Sequence, residues 1–182
     1  WIYEDIADCN FTGEDLKSKK VQAEPDYYLR CGNSLFIIEY KDLVLSDNVK
    51  YSENVTFIKA EILNRLCLDD GHKRKGFGQI LYTLNGIFNK NTMEEIDPEV
   101  TNVTEVYPIV ITTDRAFSAM GVSELLIGKF SELIAQYNFG KRMIYSPTII
   151  DYDTLFALSY KIHNKELSLA DLIHRFLNDK ER

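Results

Sequence analysis

The chain has 182 residues, 45% hydrophobic and 27% charged, with a net charge of −7. That length and mix suit a single globular domain with a full-sized core. They argue against broad, nonspecific polyanion binding and leave no apolar run near the roughly 18 residues of a membrane span.

Cys9, Cys31 and Cys67 are odd in number, widely spaced and without metal-site spacing, which points to free thiols in a reducing, cytoplasmic setting. The triplets at Asn10, Asn54 and Asn102 match the glycosylation pattern, but an Asn-rich chain produces them by chance. Residue 1 is Trp1, so 1–182 is read as one domain of a longer protein, with other domains or a second copy as expected partners.

In chain order, Thr12-Gly-Glu-Asp15 predicts a helix start, with acids in the first turn. Strands are expected at about 25–31 and 34–41. A helix carrying Val55, Ile58, Ile62, Leu63 and Leu66 on one face follows, capped by Ser52 and stopped by Gly71. After "HKRKGFG" the spacing of Ile80, Leu81, Leu84, Ile87 and Phe88 predicts another helix. The run Val106–Thr113 is β-branched and nearly all apolar, as a central strand would be. A helix over about 119–138, a strand in "KRMIYSPTII" and helices over about 152–163 and 168–179 complete the chain. The order predicts an α/β domain with a mixed sheet flanked by helices.

Gly32-Asn33 is a good two-residue turn of type II′. Such a turn sets Asp26 opposite Glu39 and Glu24 opposite Lys41, with all four side chains on one face. Facing carboxylates have Cβ atoms about 4.5–5.5 Å apart and repel. Such a pair calls for a proton, solvent or a cation, and an oxygen-seeking ion such as Mg²⁺ or Mn²⁺ fits. Lys41 stands one step along the same face, placed to hold or help deprotonate a water. The Tyr40 side chain points the other way, yet its backbone carbonyl can reach the same ion. Exposed charges meeting water are the common fate of an Asp and a Glu on neighbouring strands. Here the apolar run "LFIIEY" (35–40) and the register argue against it.

"EPD" (24–26), ten further residues and "IIEYK" (37–41), followed by a helix and an apolar strand, resemble the PD-(D/E)xK nuclease superfamily over roughly 12–150. The resemblance implies a restriction-endonuclease-like fold and hydrolysis of phosphodiester bonds in nucleic acid, with DNA the expected substrate. It implies Asp26 and Glu39 as ligands of Mg²⁺ or Mn²⁺ and Lys41 as the residue that positions or activates the water. Gln79 in "GQILYTLNG" is similar to a Gln of the exonuclease-like members, with Tyr82 one residue nearer than their pattern places a Tyr. Glu14 stands where members often carry a first-helix Glu.

Lys73-Arg74-Lys75 is a candidate phosphate-backbone contact, with a solvated charge run as the plain alternative. His72, His163 and His174 lack metal-ligand spacing. No Gly-x-Ser-x-Gly occurs, and "GFG" (76–78) lacks the Lys-Ser/Thr of a P-loop. The alternative to an enzyme is an inactive module of the same fold that binds nucleic acid or a partner domain.

Overall fold

The structure, a computed structural model, describes residues 7–21, 24–119 and 121–179. Trp1 and Met120, the latter inside a run expected to be helical, lie outside the described residues.

The first strand, β1 (Cys9–Thr12), is not among the elements expected from sequence. It is four residues long and pairs only at the sheet edge, antiparallel to β2. So short a strand carries little alternation to recognise. The helix expected from Thr12 is α1 (Gly13–Ser18), closed by a capping box. Thr12 Oγ1 accepts the Asp15 N–H and the Asp15 carboxylate accepts the Thr12 N–H.

The expected hairpin forms from β2 (Tyr27–Cys31) and β3 (Ser34–Lys41), with Tyr27 paired to Ile38 and Cys31 to Ser34. Gly32 takes φ +55°, the positive value that a type II′ turn needs at its first central position. The ladder begins two residues later than expected, because Pro25 has no N–H to give and the Asp26 side chain takes over. Asp26 Oδ2 accepts the Tyr40 N–H at 2.8 Å.

Beyond β3 come a one-turn helix α2 (Asp47–Lys50) and then α3 (Val55–Leu66). The cap of α3 is Asn54, whose side chain accepts the Phe57 N–H; Ser52, the expected cap, instead accepts the Asn54 N–H. Gly71 does not stop this helix. The helix ends at Leu66, and Gly71, with φ +86°, sits in the turn of a second hairpin. That hairpin, β4 (Cys67–Asp69) with β5 (Arg74–Gly76), was not expected, since three-residue strands of mixed polarity leave no period to read.

"GFG" has a packing role. Gly76 and Gly78 press so closely on the backbone carbonyls of Leu66 and Leu68 that a Cβ on either would overlap them. This contact seats α4 (Phe77–Lys90) directly after β5. Buried Ile80, Leu81, Leu84 and Ile87 form its inner face, as their spacing predicts.

The apolar run becomes β6 (Glu105–Thr112), parallel to β3 from Ser34–Glu105 to Lys41–Thr112. Then follow α5 (Val122–Ile134), β7 (Met143–Ile144) and β8 (Thr148–Asp151). The one strand expected in "KRMIYSPTII" is split around Pro147, which cannot donate to a ladder, but both parts pair with β6. Helices α6 (Tyr152–His163) and α7 (Leu169–Asp179) close the fold; Ser168 caps α7 as expected, accepting the Asp171 N–H.

The result is an α/β domain. Its mixed sheet runs β1-β2-β3-β6-β7, with β8 also on β6. Leu35, Ile37, Val106 and Val110 face one core with residues of α1, α3, α4 and α5. Phe36, Ile38, Tyr107 and Ile109 face a second core with α6 and α7. Buried Asp97 ties the loop between α4 and β6 to the first hairpin, through Arg30 Nε at 2.8 Å and Tyr28 Oη at 2.7 Å. Among the described residues, no helix is long and apolar enough to cross a membrane.

Candidate active site

Alternation along β3 decides where the charges go. Leu35 and Ile37 point into the first core, so Glu39 and Lys41 continue that face toward α4. Tyr40 lies on the other face with a side chain 44% exposed. Tyr28 on β2 also faces the first core, which puts Asp26 on the side of Glu39.

Glu39 is fully buried. Its Oε2 accepts from Lys41 Nζ at 2.7 Å, while its Oε1 is buried and makes no hydrogen bond. Burial lifts its pKa to about 7; the Lys41 ammonium acts against this, while the Asp26 carboxylate pushes it up further, by its charge and as an acceptor for the proton of the neutral form. Asp26 is exposed but not free to swing, being held to the Tyr40 N–H. Lys41 Nζ also donates to Gln79 Oε1 on the first turn of α4, at 3.3 Å. Asp26, Glu39, Lys41 and Gln79 thus meet at one place, where a hairpin end faces a helix start.

Other candidates fall elsewhere. The described ladder has ended before residue 24, so Glu24 is not in register with Lys41, whose ammonium turns to Glu39 and Gln79. Glu14 is exposed on α1, whose first residue, Gly13, donates its N–H to the Asp26 carbonyl. No group of three or more His, Cys, Asp or Glu side chains able to hold a metal occurs among the described residues, so Glu14 does not complete a carboxylate triad.

Tyr82 is taken up by Arg74, whose guanidinium lies 4.1 Å from its ring centre. Arg74 also pairs with Asp69 at 3.2 Å. Lys73 is exposed. Of the three basic residues only Lys75 turns toward the site. It lines a cleft of about 270 Å³ with Lys41, Leu43, Glu61, Asn64 and Arg65. His174 is a packing residue, with Nε2 2.9 Å from Tyr107 Oη. Among the described residues no disulfide joins Cys9, Cys31 or Cys67.

Sequence reasoning missed three residues here. Asn64 and Arg65 sit on the polar side of α3, where nothing separates a cleft residue from a solvated one. Thr112 is fully buried in register with Lys41, and its Oγ1 makes no hydrogen bond. Its position at the end of an apolar strand was legible, but its missing partner was not.

The donor set suits a hard cation. Two carboxylates, one with a buried oxygen that lacks a partner, are the hard anionic donors that Mg²⁺ or Mn²⁺ prefers. Mg²⁺ in particular is commonly held by one or two carboxylates, with water and substrate phosphate completing its shell. The fold and this cluster define an α/β protein with a buried acid–lysine centre. No protein-family model, curated protein or solved structure matches the chain.

Proposed function

We propose that this chain is a metal-dependent phosphodiesterase of the restriction-endonuclease-like fold, acting on nucleic acid, with DNA the expected substrate. The observation that carries the reading is Glu39: a carboxyl with no exposure, one oxygen on Lys41 and the other meeting no donor, within hydrogen-bonding reach of the Asp26 carboxylate, so that the pair must share either a proton or a cation. A fold that gained only packing from this position would place an apolar side chain there, since burying an incompletely paired charge is costly.

Asp26 and Glu39 would hold the cation, with the Tyr40 carbonyl as a further oxygen donor. When bound, a divalent ion supplies an activated water and offsets charge on the phosphate oxygens. Lys41 has a different task. Its ammonium is fixed between Glu39 and Gln79, so it is oriented before substrate arrives. From there it holds the attacking water by hydrogen bond and stabilises negative charge as it develops. Gln79 positions that ammonium through its carbonyl oxygen.

The test is cleavage of labelled single- and double-stranded DNA and RNA with Mg²⁺ or Mn²⁺, run beside calorimetric metal titration. Metal-dependent cleavage that disappears in Glu39→Ala supports the reading. Metal binding with no cleavage of any of the four substrates favours the inactive binding module.

A further inference from the structure

The cleft beside Lys41 has a charge unlike that of the whole protein. Lys41, Arg65 and Lys75 line it against a single carboxylate, Glu61, in a chain whose net charge is −7. The guanidinium of Arg65 is only loosely engaged. Its Nε is buried 3.5 Å from Glu61 Oε2 without a hydrogen bond, and its Nη1 makes a long bond of 3.4 Å to the Val44 carbonyl. Lys75 has no carboxylate partner among the described residues and is held in place by its backbone pairing with Leu68. Asn64 lines the same space. Planar guanidinium, ammonium and amide donors around one small concavity form a seat for a tetrahedral oxyanion.

We infer that this cleft takes a second phosphate group of the nucleic-acid strand, adjacent to the one held at Asp26 and Glu39, with Arg65, Lys75 and Asn64 as its ligands. The inference rests on the nuclease reading above. Lys41 belongs to both places, lining the cleft while its ammonium bonds Glu39, so one strand can occupy the two in succession. At about 270 Å³ the cleft has room for one phosphate with part of its sugar. The occupant is either an internal diester or a terminal phosphate, and the two differ in how they respond to end phosphorylation.

The experiment is fluorescence anisotropy with short labelled DNA oligonucleotides, with and without a 5′-phosphate. It is run in EDTA across a salt series on the whole chain. Lys75→Ala and Arg65→Gln should each weaken binding several-fold and flatten the dependence of log Kd on log salt by about 0.7–0.9, the loss of one phosphate contact. Lys161→Ala, exposed on α6 across the sheet from the cleft, should leave both unchanged, and Mn²⁺ affinity should be the same in all four proteins. A 5′-phosphate that tightens binding to wild type but not to Lys75→Ala identifies a terminal phosphate as the occupant. Equal binding of both oligonucleotides, with the cleft variants still weakened, identifies an internal diester.

Wild-type affinity and slope in well-folded Lys75→Ala and Arg65→Gln would overturn the inference and leave the nuclease reading standing. A wild-type protein that binds no oligonucleotide at any salt in EDTA would also overturn the inference; the nuclease reading falls separately, if no substrate is cleaved and no divalent ion is bound. Thermal melts of each variant separate a lost contact from a lost fold, and Lys75, on a strand surface, is the less risky of the two changes.

Discussion

Asp26 accepts the backbone N–H of Tyr40 across the open end of the first hairpin, at 2.8 Å. A side chain thus does what the next rung of the ladder would have done. It leaves the carboxylate one residue past the last strand pair, fixed on the face of Glu39. Asn at position 26 would keep the acceptor and lose the charge, which separates the two roles of this residue.

That separation gives a metal-linked prediction. Without divalent ions, Asp26→Asn should melt above wild type, because the amide keeps the Tyr40 bond and removes repulsion from Glu39. Wild type should gain about 2.7 kcal/mol at a metal concentration 100 times Kd, and the variant distinctly less. Melting in EDTA and in graded Mg²⁺ or Mn²⁺ is the measurement. Equal gains in both proteins would count against a cation at this pair.

Glu39 predicts a pH dependence of stability. Its folded pKa, about 7, lies above the ordinary 4.5. The protonated form is therefore the one that folding favours. The contribution is complete below pH 4.5 and is lost as pH rises through 7, up to about 3 kcal/mol from the size of the shift. Glu39→Gln should remove that slope and be the more stable protein at pH 8. Urea titrations at pH 5 and pH 8, in EDTA, would show it; parallel pH dependences would mean that Glu39 titrates normally.

Lys41 should part catalysis from metal affinity. Lys41→Ala removes an oriented ammonium but no oxygen ligand. Mn²⁺ binding by calorimetry should stay within a few-fold of wild type while cleavage falls by about 10²–10³. Unchanged cleavage would remove Lys41 from the reaction.

Two glycines give opposite expectations. Gly128 is exposed in α5, and a Cβ added there would meet no atom within 4 Å. Gly128→Ala should therefore stabilise by about 0.5–1 kcal/mol through helix propensity alone. Gly78 gains the same propensity in α4, but its methyl would overlap the Leu68 carbonyl. Overpacking of roughly 1–3 kcal/mol or more outweighs that gain, so Gly78→Ala should destabilise. Denaturant midpoints of the two variants should move in opposite directions.

Much of the centre was legible because a two-residue turn at Gly32-Asn33 dictates the register of everything after it. One count along the hairpin put Asp26 across from Glu39, and the period of two put Lys41 beside it. The amphipathic spacing of α4 likewise placed Gln79 near its start. Elements too short to carry a period were lost: β1, α2 and the β4–β5 hairpin. Glu24 was misplaced for a related reason. Strand pairing was extended past Pro25, where the backbone could no longer continue it. Arg65 and Asn64 were invisible because a helix's polar side looks the same whether it borders a cleft or open water.

The backbone-to-backbone seating of Gly76 and Gly78 has a mechanical consequence. It ties the end of α3, the small hairpin and the start of α4 into one backbone-packed unit that carries Asn64, Arg65, Lys75 and Gln79. Asp26, Glu39 and Lys41 belong to the sheet hairpin on which α4 packs. The Lys41–Gln79 contact of 3.3 Å spans the seam between them. Any displacement of that unit along the sheet would therefore carry all four side chains together and be registered first in the Lys41–Gln79 bond.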